Sequence, residues 1–146
     1  MILPSTVEYA LRATAYLATR PEGEALTAAA ISERTGVPLH YLSKVLRKLV
    51  LHDVLSAQKG HHGGFALARV PSKIRVADVL DAVEYESARG QCSFGWGQCN
   101  SRQPCPLHPL WSQLNDAFAA WASKSTLADV GPYPESRAKK QLKMVR

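Results

Sequence analysis

The alternation of apolar and polar residues predicts a mainly helical chain that contains one short hairpin. Apolar residues recur at three- and four-residue steps over residues 3–19, 76–83 and 107–127, which is typical of helices that bury one face. Residues 54–57 and 65–68 are two short apolar runs separated by a glycine-rich turn. These runs are typical of the strands of a tight hairpin.

Residues 27–49 are predicted to form two helices joined by a short turn. Thr27 can cap the first helix, and Gly36 can end it in the left-handed conformation that glycine tolerates. Pro38 suits the start of the second helix, where its missing N–H leaves no helical hydrogen bond unmade. The predicted apolar face of the second helix consists of Leu39, Leu42, Leu46 and Leu49. This arrangement is typical of a helix-turn-helix, whose second helix enters the major groove of DNA.

The hairpin directly follows the second helix, in the position of the wing of a winged helix-turn-helix. Its turn combines several glycines with the cation Lys59, and the outer face of the second helix is also polar and basic. Two helices with a basic face also occur as a plain solvated surface, but a basic glycine-rich hairpin behind them favours nucleic-acid binding. The predicted DNA contacts are Pro38, His40, Tyr41, Ser43, Lys44, Arg47, Lys59, His61 and His62.

The net charge supports a polyanionic partner. Lys and Arg exceed Asp and Glu by 18 to 12, which gives a formal charge of +6. No apolar run approaches the length of a membrane span and the start of the chain lacks a signal-peptide pattern, so we expect a cytoplasmic protein without a membrane partner. The sequence has no nucleophile–base pair and no cofactor fingerprint, which favours a regulator over an enzyme.

Residues 87–106 show no helical or strand period and hold all three cysteines, Cys92, Cys99 and Cys105. An odd number of cysteines crowded into one loop argues against a secreted disulfide framework. His108 follows three positions after the last cysteine. Thiolates and imidazole can bind an iron–sulfur cluster or zinc, and thiols alone can act as a redox switch, so all three remain open. A solvent-facing histidine at a helix start is the alternative for His108.

The long final helix carries a heptad-like seam of large apolar residues, namely Leu107, Trp111, Leu114, Phe118 and Trp121. We predict that this seam is a subunit interface, and packing against the first helix of the same chain is the alternative. Residues 131–146 are rich in cations and poor in apolar residues, which predicts a flexible basic tail that adds nonspecific DNA contacts.

The order of these segments resembles the winged-helix regulator family that includes the iron–sulfur regulator IscR, the nitric-oxide sensor NsrR and the iron regulator RirA. The resemblance covers residues 7–130 and rests on EYALRATAYLA, ISERTGVPLHYLSKVLRKL, KGHHGGFALAR, IRVADVLDAVE and the loop ending CPLHPLW. It implies a homodimer in which the long helices pair. It also implies that the recognition helix lies in the major groove of a DNA operator and the wing tip in the minor groove.

The resemblance further implies an iron–sulfur cluster held by Cys92, Cys99 and Cys105. In one type of relative the fourth ligand is a histidine three residues after the last cysteine, which His108 matches. In another type it is an acidic residue near the start of the first helix, which Glu8 of the partner subunit matches. We prefer His108. A 2Fe–2S cluster is favoured, with 4Fe–4S as the alternative because the first cysteine gap is one residue longer than expected for the IscR type.

The sequence therefore predicts four functional segments. Residues 1–86 form a winged helix-turn-helix, 87–106 a cysteine-containing sensor loop, 107–130 a dimerisation helix and 131–146 a flexible tail. The predicted function is a homodimeric transcriptional regulator whose DNA affinity an iron–sulfur cluster controls, in response to iron–sulfur status, redox state or nitric oxide. The alternative function is a winged-helix regulator with a structural zinc or a thiol redox switch and no cluster.

Overall fold

The computed structural model describes residues 3–85, 92 and 94–130 of the chain. The helices are α1 (Ser5–Ala18), α2 (Ala28–Thr35), α3 (Leu39–Leu51), α4 (Val76–Ala82) and α5 (His108–Lys124), the strands are β1 (Leu55–Gln58) and β2 (Gly64–Leu67), and 3-10 turns lie at Pro71–Lys73 and Leu127–Val130. This order confirms the mainly α fold with a hairpin wing. The predicted basic tail lies outside the described residues, as do residues 86–91 and 93.

The core lies where α1, α2, α3 and α4 meet. Its buried side chains include Val7 of α1, Ile31 of α2, Leu46 of α3 and Val79 of α4, each no more than 2% exposed. Thr14 is also fully buried, and its hydroxyl donates to a backbone carbonyl of its own helix at 2.8 Å. Packing against this core fixes one face of α3 and leaves the opposite face in solvent.

The turn between α2 and α3 forms as predicted. The Thr27 hydroxyl oxygen accepts a hydrogen bond from the backbone N–H of Ala30 at 3.2 Å, which caps α2. Gly36 ends α2 with φ of 71°, in the left-handed region. The Ser32 hydroxyl then donates to the carbonyl of Val37 at 2.6 Å and fixes the turn. Pro38 stands one residue before α3 rather than inside it.

The buried face of α3 differs at one position from the predicted face. Leu42, Leu46 and Leu49 are fully buried, but Leu39 is 46% exposed and was wrongly assigned to this face. Val45 is buried instead. Leu39 has the period of the buried face, but it is the first residue of α3 and does not pack against the core.

The wing is an antiparallel pair of strands in which Leu55 pairs with Leu67 and Gln58 with Gly64. Each strand lies one residue nearer the turn than predicted, because the ladder continues to this last pair. The segment before α2 joins the wing through Leu26, which exchanges two backbone hydrogen bonds with Phe65 at 2.9 and 2.7 Å. The wing is therefore attached to the body on both sides of the helix-turn-helix.

The long helix α5 is attached to the body mainly at its C-terminal end. Ala122 is the buried residue of α5, and Leu127 after it is also buried. Phe118 packs edge-on against Tyr85, with ring centroids 6.3 Å apart. α5 and α1 are both shorter than predicted, because Ser125 has extended backbone and Pro4 precedes α1. Among the described residues, no helix is long and apolar enough to span a membrane.

Candidate DNA-binding surface and cysteine site

The outer face of α3 presents most of the predicted DNA contacts to solvent. His40, Tyr41, Ser43, Lys44 and Arg47 are all exposed, whereas Pro38 is partly covered. The Ser43 hydroxyl donates to the carbonyl of Leu39 in the same helix at 2.9 Å. While that bond holds, the hydroxyl can only accept a hydrogen bond from a base or another donor.

The Tyr41 ring on this face contacts two aromatic neighbours. Its ring centroid lies 4.0 Å from the His40 ring and 6.1 Å from the ring of Tyr9 on α1. The Tyr41 side chain remains 51% exposed. Contacts with these two rings restrict its rotamers, so the phenol can reach a DNA strand with little further loss of side-chain entropy.

A groove between α1 and α3 adds residues that the sequence did not single out. It has a volume of about 360 Å³ and is lined by Ser5, Thr6, Tyr9, Tyr41, Lys44, Val45 and Lys48. The α1 residues are polar side chains at the start of a helix that is otherwise largely apolar. This local change in polarity was the one sequence feature that could have indicated a functional role for Ser5 and Thr6. Only the packing of α1 against α3 places them beside Lys44 and Lys48.

The wing tip carries the remaining predicted contacts in an exposed position. Lys59, His61 and His62 are all exposed, and the two imidazole rings lie edge to face with centroids 5.0 Å apart. Gly63 is required by the tight turn, because a Cβ there would lie 2.3 Å from the carbonyl oxygen of Gln58. The turn thus holds one cation and two imidazoles away from the body.

The second predicted site lies in the loop before α5. A depression of about 260 Å³ is lined by Cys92, Cys99, Cys105, His108, Trp96, Gln98, Asn100 and Gln103. The loop folds back on itself through a bond from the N–H of Cys92 to the carbonyl of Gly97, at 2.8 Å. The N–H of His108 donates to the carbonyl of Cys105 at 3.0 Å, which places both at the entrance to α5. The structure thus brings the four predicted ligand residues to one depression.

The thiols of this depression influence one another. The pKa of the Cys92 thiol is lowered, first because the backbone N–H of Phe94 donates to its sulfur, with smaller contributions from Trp96 and the neighbouring cysteines. The pKa of the Cys99 thiol is raised by burial and by the charges of Cys92 and Cys105. Several thiolates crowded together repel one another, so a bound cation would relieve their repulsion.

The donor set therefore fits an iron–sulfur cluster or zinc in its chemistry, since it combines three sulfurs with one imidazole. None of the cysteines forms a disulfide. Among the described residues, however, no group of three or more Cys, His, Asp or Glu side chains is already arranged as metal ligands. Metal binding would thus require the side chains to converge within the depression.

Glu8, the alternative fourth ligand, lies elsewhere in its own chain. Its carboxylate is 3.8 Å from the guanidinium of Arg12, one turn further along α1. It is not among the residues that line the cysteine depression. Within one chain, only His108 of the two candidates adjoins the cysteines.

Comparisons with known proteins identify related transcriptional regulators. The family described as "Rrf2: Iron-dependent Transcriptional regulator" matches residues 3–132. The HTH-type transcriptional regulator IscR of Escherichia coli O1:K1 / APEC is 32% identical over 130 residues, which cover 89% of this chain and 80% of that protein.

Solved structures share the fold. CymR (YrzC), described as the global cysteine regulator of B. subtilis, superposes with a TM-score of 0.72 at 20% identity, over 89% of this chain and 95% of CymR. The T. potens IscR structure gives 0.70 at 22% identity, over 88% and 85% of the two chains. An oxidized form of Staphylococcus aureus CymR gives 0.70 at 20% identity, over 91% and 98%.

Proposed function

The chain belongs to the Rrf2 family of transcriptional regulators, and from this premise we propose that it is a homodimer whose affinity for a DNA operator is controlled by an iron–sulfur cluster. Its relatives are DNA-binding regulators and not enzymes, as the sequence predicted. The dimer, the cluster and the roles of individual residues are the proposed part. Residues 87–106 serve as the sensor loop in this scheme, between a DNA-binding unit at 1–86 and a dimerisation helix at 107–130.

DNA recognition is assigned to α3 and the wing. The exposed side chains of Tyr41, Lys44 and Arg47 offer hydrogen-bond donors to base edges and phosphates in the major groove. Lys59 stands at the tip of a narrow hairpin, which suits insertion into the minor groove. Contacts between these cations and the phosphates position the protein on any DNA. Contacts between the α3 side chains and the base edges supply the sequence preference.

The dimer is supported by the apolar surface that α5 leaves uncovered. Leu110 is 72% exposed and Leu114 is 57% exposed, and the exposed Trp121 lies on the same helix. A surface of this kind on a single chain is typical of a protein–protein interface. A second copy of α5 is the occupant that we propose, because two half-sites one helical turn apart need two linked recognition helices.

The single observation that carries the cluster proposal is that Cys92, Cys99, Cys105 and His108 all line one depression at the start of α5. The thiolates and the imidazole would hold the group, which we propose to be 2Fe–2S. When bound, it would supply redox and nitric-oxide reactivity. His108 is preferred over Glu8 of the partner subunit because it already adjoins the cysteines. Binding would fix the loop relative to α5 and so bias the spacing of the two recognition helices.

Anaerobic purification tests this proposal. We expect a coloured protein with visible charge-transfer absorption and with stoichiometric iron and sulfide, and each single change Cys92→Ala, Cys99→Ala or Cys105→Ala should bleach it. DNA affinity should differ between the loaded and stripped forms by about 1 to 3 kcal/mol. A protein that stays colourless after reconstitution, or whose two forms bind DNA equally, would contradict the proposal. Tightly held zinc without absorption would support the structural-metal alternative.

A thiol switch is the second candidate, and the lowered pKa of Cys92 favours it. The hydrogen bond from the backbone N–H of Phe94 is the main cause of this lowering, and the thiolate that it stabilises is the form that attacks an oxidant. Two of the three thiols would lose two electrons and two protons to a peroxide, which is reduced to water, and an S–S bond would form. Oxidation of the metal-free protein should then lower its mass by two hydrogens and change its DNA affinity.

A further inference from the structure

An ion pair joins α3 to Glu84, the second residue after the end of α4. The ammonium of Lys48, in the last turn of α3, lies 2.8 Å from a carboxylate oxygen of Glu84. The two residues are 36 positions apart in the chain. Their side chains are 41% and 74% exposed, so water competes for both charges and the pair can exchange partners readily.

Glu84 is held in place by the backbone around it. It has φ of 57°, a left-handed conformation in which a Cβ is strained and glycine is preferred. The N–H of Glu84 donates to the carbonyl of Asp81, and the N–H of Tyr85 to that of Leu80, both at 3.0 Å. These two bonds form the motif that commonly ends a helix with glycine. A glutamate at this position therefore points to a role for its carboxylate.

Lys48 also lines the groove between α1 and α3. Tyr41, Lys44 and Lys48 follow one another along one stripe of α3, and Ser5 and Thr6 stand across the groove on α1. Ammonium and hydroxyl groups are the donors that contact the sugar–phosphate backbone of DNA without reading its sequence. The carboxylate of Glu84 neutralises the last cation of this stripe and so withholds it from a phosphate.

We propose that Lys48 is a switched contact to the DNA backbone, and that Glu84 determines whether it is available. The inference rests on the proposed DNA-binding role of α3, but it does not depend on a cluster. Glu84 and Tyr85 directly precede the cysteine loop, and the Tyr85 ring packs on Phe118 of α5. A rearrangement of the loop or of α5 would therefore move Tyr85 and its neighbour Glu84, and so change the contact between Glu84 and Lys48.

The test compares the variants Lys48→Ala, Glu84→Gln and the double variant as metal-free, reduced proteins. Each is titrated against a duplex selected from random DNA by the wild-type protein and against an unrelated duplex, between ~50 and ~200 mM salt. Glu84→Gln should steepen the slope of log affinity against log salt by about 0.9, which corresponds to one extra phosphate contact. Between the lowest and the highest salt concentration, the variant should therefore lose about 3.5-fold more affinity than the wild type. Both duplexes should respond, because the contact is to the backbone.

The gain in DNA affinity and in salt dependence that Glu84→Gln produces should disappear when Lys48→Ala is also present. Asp81→Asn, which removes the exposed carboxylate three residues before Glu84, is the matched control for net charge. It should give a smaller gain in DNA affinity that does not depend on Lys48. Equal gains from Glu84→Gln with and without Lys48→Ala would overturn the proposal, as would no gain at all. Thermal melts of every variant check that the fold is retained.

Lys44→Ala separates this inference from the proposed function. If wild-type protein and Lys44→Ala bind every duplex equally weakly, α3 does not bind DNA and both proposals fail. If Lys44→Ala weakens binding but Lys48 and Glu84 show no coupling, only the switched contact fails.

Discussion

The backbone N–H of Val76 donates to the carbonyl oxygen of Ser125 at 2.9 Å and ties the end of α5 to the start of α4. A second bond of the same length runs from Leu127 to Ile74. Near the other end of α5, Leu110 is 72% exposed. The helix is therefore attached at its C-terminal end, and its first turns project from the body beside the cysteine depression. A ligand held by that depression would act on the end of α5 that its own chain restrains least.

The projecting half of α5 provides a test of the dimer. Leu110→Ser together with Leu114→Ser should give monomers at micromolar concentration, because burying each leucine contributes about 1.5 to 3 kcal/mol in an interface. The melting temperature of the single chain should change little, since both side chains are exposed within it. Sedimentation measures the outcome, and Gln113→Ser is the control on the same helix. A persistent dimer would place the interface elsewhere.

Two leucines of the predicted apolar face of α3 should differ sharply in their effect on stability. Leu46→Ala should lower the free energy of unfolding by about 2 to 5 kcal/mol, because Leu46 is fully buried. Leu39→Ala should cost less than about 0.5 kcal/mol, since Leu39 is 46% exposed. Urea unfolding measures both. Equal losses would mean that Leu39 is covered in the folded protein.

The contrast between Leu39 and Leu46 marks what periodicity can predict. The helical period is a local property, so it located α3 and its three buried leucines from the sequence alone. Whether a residue of the right period is covered depends on which other elements pack against it, which is a tertiary property. The burial of Val45 is likewise decided by tertiary packing, although Val45 directly follows Lys44 in the sequence.

Gly64 should be needed for the attachment of the wing. A Cβ at this position would lie 2.3 Å from the carbonyl oxygen of Leu26, where the segment before α2 pairs with β2. Gly64→Ala should therefore lower the melting temperature and weaken DNA binding together. Gly60→Ala is the matched control, because Gly60 also has positive φ but open space around its Cα. If the two changes have similar effects, the loss of stability and DNA binding in Gly64→Ala comes from backbone strain and not from the contact with Leu26.

The lysines of α3 and the wing should contribute separately to DNA binding. Lys44→Ala and Lys59→Ala should each reduce the salt dependence of binding by about one counterion, because each removes one phosphate or groove contact. Lys124→Ala, at the exposed end of α5, should leave the slope unchanged. Fluorescence anisotropy over a range of salt concentrations measures all three. An unchanged slope for Lys59→Ala would exclude the wing tip from the interface.

The proximity of the three cysteines to His108 could be predicted because all four residues lie in one short segment. Cys92, Cys99 and Cys105 lie close together in the sequence, and the helix that follows places His108 beside them. The pair formed by Lys48 and Glu84 was beyond prediction, because its members are 36 positions apart and meet only when α4 packs beside α3. The contribution of α1 to the groove depends on packing in the same way.

The identity of the fourth ligand can be decided by comparing two variants. His108→Ala should leave a weaker or more labile cluster that loses its colour faster in air, because one of the four donors at the depression is removed. Glu8→Gln should leave the colour unchanged, since it alters only a partly exposed carboxylate that faces Arg12 within its own chain. Both proteins are purified without oxygen and followed by visible absorption during exposure to air. If Glu8→Gln bleaches the protein and His108→Ala does not, the ligand comes from the partner subunit, and the cluster would then link the two subunits directly.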